Sequence, residues 1–405
     1  MKSFYKKYHR AKISFWNSVA TEWNAIKLDK ALVSTFLSVA FIILIVYTYL
    51  YSNEVVKEVP IAIVNQDASK TSRDYISMLN TSKGIDTKTN YADLQEAKQH
   101  FYSNKIMGVV IIPKNFGKDL RRGRQTTITT YADASNMLFY KEVIGDVTVA
   151  TGYFNAGIVI KKNMAKGNSI AQAKANYTPV QTVTTSLFNT SSGYATYLIP
   201  VLTALIVQLV LLMAIGIING TRHEDNNMLS NFPRILHKGG TIPVLLGKSF
   251  VYTALFSIIL PIQIGIVYTL FSIPVRSSLW MVYIFSLPYL LAVVFFGIAM
   301  SSLFKRREDS VVFIVLTSIP SLMLSGLSFP MEGFPKFYQY ITQTIPSTPG
   351  INGFVKLTQM KASFSEVSPE WNHLWLLALI YFVLATITLK LQSTKERKNI
   401  TKKSL

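Results

Sequence analysis

The 405-residue chain has no cysteine, which excludes disulfides, thiol nucleophiles and thiolate metal sites. Histidine is scarce as well. The five (His9, His100, His223, His237 and His373) are scattered, and none combines with carboxylates at a metal-ligand spacing. No nucleophile–base pair can be drawn from the sequence. Acidic residues number 21 against 41 Lys and Arg, for a formal net charge of +20. That excess does not point to nucleic acid, because no arginine-rich or aromatic-interleaved basic motif is present. Charge of either sign is sparse, at 15% of residues, where soluble domains carry about 25%. Half of the residues are hydrophobic. The composition is that of an integral membrane protein.

Six uncharged apolar stretches are long enough to cross a hydrocarbon core of about 30 Å, which takes roughly 20 helical residues. They fall at 31–51, near 196–219, between Lys248 and Arg276, between Arg276 and Lys305, at about 310–328 and at about 372–389. Lys and Arg crowd particular connecting segments: seven in 1–30, four in 222–248, three in 305–307 and six in 390–405. Segment 272–278 holds only Arg276, and 329–370 only Lys336, Lys356 and Lys361. The positive-inside tendency therefore places both termini in the cytoplasm and 52–195 outside. The 17 basic residues of 52–195 do not oppose this, since long translocated domains escape the rule. Stretch 31–51 reads as an anchor, because its apolar core is too long for a signal peptide and no small-residue cleavage site follows. The expected fold class is a polytopic α-helical membrane protein with six transmembrane helices and an inserted extracytoplasmic α/β domain.

Within 52–195, strands are expected at 59–64, 84–91, 106–113 and 126–133, and helices at 92–101 and from about 136 to 166. Their alternation predicts a mixed or parallel sheet with helices packed on it. Thr71 and Asp74 have capping-box spacing. Asp67, Asp133 and Asn136 read as caps and turn formers at strand ends. Ahead of the first span, Ile13, Trp16, Val19, Ala20, Trp23 and Ile26 recur at helical spacing, with Lys12, Asn17, Thr21, Glu22 and Asn24 between them. This pattern predicts an amphipathic helix in the membrane interface, with Trp16 and Trp23 at headgroup depth. GGTIPVLLGKS (239–249) is not a phosphate-binding loop, because Ile242 stands where the first glycine is required. Lys248 reads instead as a charge at the membrane edge.

In order along the chain, the pre-span helix, PIAIVNQDASKTSRDY, IMGVVIIPKNFGKDLRRG, YADASN, LLGKSFVY, LSGLSFPMEGFP and TIPSTPGINGFVKL resemble a type-2 ABC exporter permease subunit over nearly the whole length. The resemblance implies a half-transporter that pairs with an identical or related permease and with separate ATP-binding cassette subunits. ATP and Mg would then be bound by the partner subunits, and no cofactor by this chain. Membrane lipids and a periplasmic adaptor are further candidate partners, and the bacterial cytoplasmic (inner) membrane is the expected location. The resemblance makes 222–238 a coupling segment resting on the ATPase, with Arg222, Glu224, Asp225, Leu229, Phe232 and Arg234 as its candidate contacts. Where the family carries an acidic-glycine-threonine run, this chain has HEDNNML.

Gln208, Gln263 and Tyr268 are candidate polar residues of a pathway for an amphiphilic small molecule, lipid or peptide-like substrate. Polar side chains in spans also bond between helices. The proline-punctuated, aromatic stretch 330–358 is too apolar for a simple loop, and the resembling permeases have short re-entrant helices there. Gly326, Pro330, Glu332 and Pro335 are accordingly candidate residues of an external gate. PIAIVNQDAS is also similar to the start of the phage-infection-protein family, which gives the alternative of a non-transporting envelope scaffold or receptor.

Overall fold

A computed structural model describes residues 2–88, 91–178, 185–190, 192–225, 239–326 and 329–403. The chain divides into two compact units, one of Met1–Glu54 with Ser186–Leu405 and one of Val55–Thr185. Helices α1 (Lys2–Leu28) and α2 (Lys30–Leu50) precede the inserted unit. That unit contains β1 (Val59–Asn65), α3 (Lys70–Leu79), β2 (Ile85–Lys88), α4 (Leu94–Tyr102), β3 (Gly108–Ile112), α5 (Phe116–Arg121), β4 (Thr129–Ala132), α6 (Met137–Met164) and α7 (Ile170–Tyr177). After it come α8 (Tyr194–Glu224), α9 (Thr241–Tyr268), α10 (Leu279–Ser301), α11 (Arg307–Leu324), α12 (Lys336–Thr344), α13 (Ser347–Met360) and α14 (Ser368–Lys403).

The inserted unit is a three-layer α/β fold with strand order β2-β1-β3-β4. β1 runs parallel to β2 (Val59 opposite Ile85) and to β3 (Ile61 opposite Gly108), and β4 lies antiparallel to β3. The continuous apolar run of β1 follows from burial on both faces. Ile61 and Ile63 point into a core with Tyr75, Leu79, Phe116, Val147 and Phe154, while Ala62 and Val64 meet Ala97, Ile106 and Val109. The Tyr75 hydroxyl lies 2.8 Å from Thr151 Oγ1, tying α3 to α6. The expected capping box at Thr71 and Asp74 is not formed. Ser69 caps α3 instead, accepting from Ser72 N at 3.2 Å, because the helix starts one residue before Thr71. Asp67, Asp133 and Asn136 do act as turn and cap formers. Asp67 accepts from Gly117 N, Asp133 from Ser135 N, and Asn136 caps α6.

Six helices are long and apolar enough to cross a membrane: α2, α6, α8, α9, α10 and the Ser368–Thr394 part of α14. Five of them coincide with expected spans. The sixth, α6, belongs to the inserted unit, where Val143, Val147, Ala150 and Phe154 pack on the sheet and Asp146 accepts from Gly84 N at 3.0 Å. The expected fifth span is α11, and it is shorter than predicted. Its uncharged part begins at Ser310, but the helix ends at Leu324, so that part covers only about 22 Å at 1.5 Å per residue. Gly326 then ends it in the left-handed region at φ +87°.

In the helical unit α8 is the central element, apolar and buried on all sides. It packs against α2, α10, α11 and α13. Its N-terminus is closed by Glu54, whose carboxylate accepts from Thr196 N (3.1 Å) and Thr196 Oγ1 (2.7 Å). The Glu54 carbonyl accepts from Tyr194 N at 2.7 Å. Near the other end, Gly216 and Gly220 allow the start of α11 to approach closely, as small residues four apart do between membrane helices. Two π-helical turns interrupt spans, at Ser38–Ile43 in α2 and Ile264–Tyr268 in α9. Gln263, just before the second, donates its amide to the Ala40 carbonyl of the first at 2.6 Å, using an acceptor that a π-turn exposes.

Candidate functional site

Helix α1 packs on α9 through the row Ser14, Ser18, Glu22 and Ile26, all buried. Small residues bring the two helices together: a Cβ on Gly247 would lie 2.5 Å from the Phe15 carbonyl, and one on Gly239 would lie 1.9 Å from Ser14 Oγ. Trp16 and Trp23 lie off this row and are about half exposed, at 54% and 49%. The contact face of α1 is thus largely polar and small, and of its apolar row Ile26 is buried and Val19 packs on the core, while the two tryptophans are left about half exposed.

Glu22 is 3% exposed and is the only acid in α1. Arg222, near the end of α8, places Nη1 2.9 Å from Glu22 Oε2, and Lys248 Nζ is 3.6 Å from the same oxygen. The Tyr252 hydroxyl donates to Oε1 at 2.7 Å. Burial alone would raise the Glu22 carboxyl. The charges of Arg222 and Lys248 and the donors around it outweigh that and hold it at about 2. Glu22 is therefore a fixed charge at any working pH, not a proton switch. Lys248 has a partner that the sequence reading did not assign it. It is buried at 6% exposure in the second turn of α9, where Glu22 supplies a counter-charge from 226 positions earlier in the chain.

A second ion pair lies alongside. Asp29 holds Arg307 with both oxygens, at 2.8 and 3.2 Å, and also caps α2 by accepting from Leu32 N. Glu224 accepts from the backbone N–H of Arg307 at 3.2 Å. Of the expected coupling residues, Arg222 and Glu224 are thus tied into the bundle, and Asp225 closes α8. Leu229, Phe232 and Arg234 lie outside the described residues. The expected loop 222–248 shortens, since α8 runs to Glu224 and α9 begins at Thr241. Where the chain leaves at Arg222 and where it returns at Gly239, it contacts α1. A displacement of the segment between would reach α1, α9 and α11 together.

About 37 Å away along α8, counted from Arg222 to Tyr197, the helical unit contains a cavity of about 530 Å³. Gly326, Pro330 and Glu332 line it, together with residues of α8, α13 and the first turn of α14. Pro335 does not line it and instead precedes α12. Short helices do occupy 330–358, and α13 is packed against α8, α10 and α14, with Gly350 under the Tyr289 ring and Gly353 under Phe285. Among the pathway candidates, Gln263 bonds to Ala40 and Tyr268 donates to Thr203 Oγ1 at 3.1 Å. Gln208 is buried in α8, and none of the three lines this cavity. Sequence reading gave no role to Tyr252, Lys356 or Glu370, and gave Lys248 no partner. It counted Glu22 only among the polar spacers of α1, although a lone acid in a tryptophan-bearing helix was a usable signal.

A bundle of long apolar helices with an inserted α/β unit and a buried charge network at one end defines a polytopic membrane protein of the permease kind. The chain belongs to the ABC-2 family of transporters, matching the ABC-2 family transporter protein over residues 30–387. It is 23% identical over 289 residues to the probable multidrug ABC transporter permease YbhR of Escherichia coli (strain K12), covering 71% of this chain and 73% of that one. It is 23% identical over 340 residues to the inner membrane transport permease YhhJ of the same organism, covering 81% and 84%. A third relative, ABC transporter G family member 20 of Dictyostelium discoideum, is 20% identical over 355 residues, or 84% of this chain and 47% of the relative.

Proposed function

We propose that this permease is the membrane subunit of an ATP-driven exporter, energised by separate ATP-binding cassette subunits and working as a pair of permease chains. Its location would be the bacterial inner membrane, with both termini in the cytoplasm and the α/β unit outside. The observation that carries this reading is the contact with α1 of Arg222 and Gly239, on either side of 226–238, beside the buried Glu22–Arg222–Lys248 network. ATP binding by the partner would press on that segment and shift the helices between conformations of different substrate affinity, which is the only way a ligand can drive such a change. The distance from this network to the cavity, about 37 Å, matches the thickness a substrate must traverse.

Inside-out vesicles carrying the permease and its ATP-binding partner are expected to take up an amphiphilic probe only with ATP and Mg. Uptake that does not depend on the permease would overturn the reading and favour the scaffold alternative. The cysteine-free sequence allows orientation to be tested directly. A cysteine introduced at Ser135 should react with a membrane-impermeant maleimide in intact cells, and one introduced at Ser393 only after lysis. The reverse pattern would refute the assigned topology.

A further inference from the structure

We infer that the cavity at the Tyr197 end of α8 is a binding site for a monovalent lipophilic organic cation, held by Glu332 and Glu370. Its charged lining is two carboxylates and one ammonium, from Glu332, Glu370 and Lys356. Lys356 is already engaged, with Nζ 2.6 Å from Glu370 Oε1. The other oxygen, Glu370 Oε2, is buried and accepts no hydrogen bond among the described residues. Glu332 forms no ion pair among them. One negative charge is therefore left over, and one buried carboxylate oxygen lacks a donor.

The surplus negative charge on the lining favours a ligand that carries positive charge. An anion would meet two carboxylates, and a neutral apolar ligand would leave the surplus charge uncompensated. A metal ion is disfavoured, because no three acidic or histidine side chains cluster here or elsewhere among the described residues. The remaining walls fit the hydrocarbon part of an organic cation. Val201, Ile351 and Val355 are aliphatic, and Met331 and Met360 are polarizable and adaptable. The Tyr197 ring offers a π face to a cation. At about 530 Å³ the cavity lies within the range of sites for drug-sized ligands.

That such a cation is cargo rests on the exporter reading, whereas its binding does not, and the two are tested separately. The probe is tetraphenylphosphonium, measured at equilibrium on the purified full chain in lipid nanodiscs without any ATP-binding subunit, with empty nanodiscs as background. Saturable binding is expected. Tetraphenylborate, of the same shape and opposite charge, should not compete. Glu332→Gln should weaken binding about tenfold, the size expected for one partly exposed opposite charge. Ile351→Trp should abolish binding by filling the cavity while leaving every charge in place. Glu370→Gln should weaken it further than Glu332→Gln, provided its thermal transition stays near that of the parent chain. Absence of saturable binding, equal competition by the anion, or full affinity in both Glu332→Gln and Ile351→Trp would overturn the site. None of these results depends on ATP-driven uptake, so failure of the site and failure of the exporter reading are distinguishable.

Discussion

Replacing Glu22 by alanine is expected to cost about 3–5 kcal/mol of stability, because it leaves Arg222 and Lys248 buried without their counter-charge. Membrane abundance should fall sharply, and Arg222→Ala should have a similar effect for the mirror-image reason. Replacing the whole cluster with apolar residues (Glu22→Leu, Arg222→Met and Lys248→Met together) should be milder than either single change. Such a triple variant that folds should still fail to convert ATP hydrolysis into uptake, if the network carries displacement from 226–238 to α1. The pH dependence has a definite sign. With the folded carboxyl at about 2 and an ordinary value of 4.5, the Glu22 contribution is complete above about pH 4.5 and is lost as pH falls towards 2. Thermal transitions of parent and Glu22→Gln should still differ at about pH 5. They should converge only below that. A difference that vanished near pH 7 would contradict the assignment.

Replacing Gly220 by alanine should be nearly as damaging. The new Cβ would lie 2.6 Å from the carbonyl oxygen of Arg306 and 2.8 Å from Cα of Arg307. Those are backbone atoms, so no side chain can rotate away, and α11 must separate from α8. That separation would also strain the Asp29–Arg307 pair and the Glu224 contact. The same substitution at Gly145 is the control. Nothing lies within 4 Å of its Cβ position, and alanine is the better helix former by about 0.8–1 kcal/mol. Purified Gly145→Ala should melt at or slightly above the parent, and Gly220→Ala should fail to accumulate as folded protein. Equal behaviour of the two variants would show that the α8–α11 contact is looser than described.

What the sequence revealed follows from the range of the interactions involved. Spans, strands and the long helix α6 were readable because hydrophobic period and length are local properties. β1 was found within one residue of its end, and Asn136 was recognised as a cap because its acceptor bonds amides two and three residues on. The burial and pairing of Lys248 were unreadable for the opposite reason, since its counter-charge lies on another helix and no local pattern announces it. The shortness of α11 lies at its far end, where Gly326 takes the chain into the left-handed region before the expected end at 328. The capping box was misassigned because Ser69 and Thr71 offer equivalent chemistry two residues apart, and only the backbone path selects between them. The glycine pair in GIING was visible as small residues four apart in an apolar stretch, a signal that sequence reading left unused. The two π-turns facing each other across Gln263 and Ala40 have no such signature.

The central claim is that this permease is worked from outside its own chain through the segment between Asp225 and Gly239. Purification from the native membrane under mild conditions tests it most directly, comparing the parent chain with one lacking residues 226–238. The parent is predicted to carry an ATP-binding cassette subunit at fixed stoichiometry, and the shortened chain, still folded and membrane-bound, to carry none. Recovery of the parent without any such subunit, or of both forms with the same amount, would contradict the account.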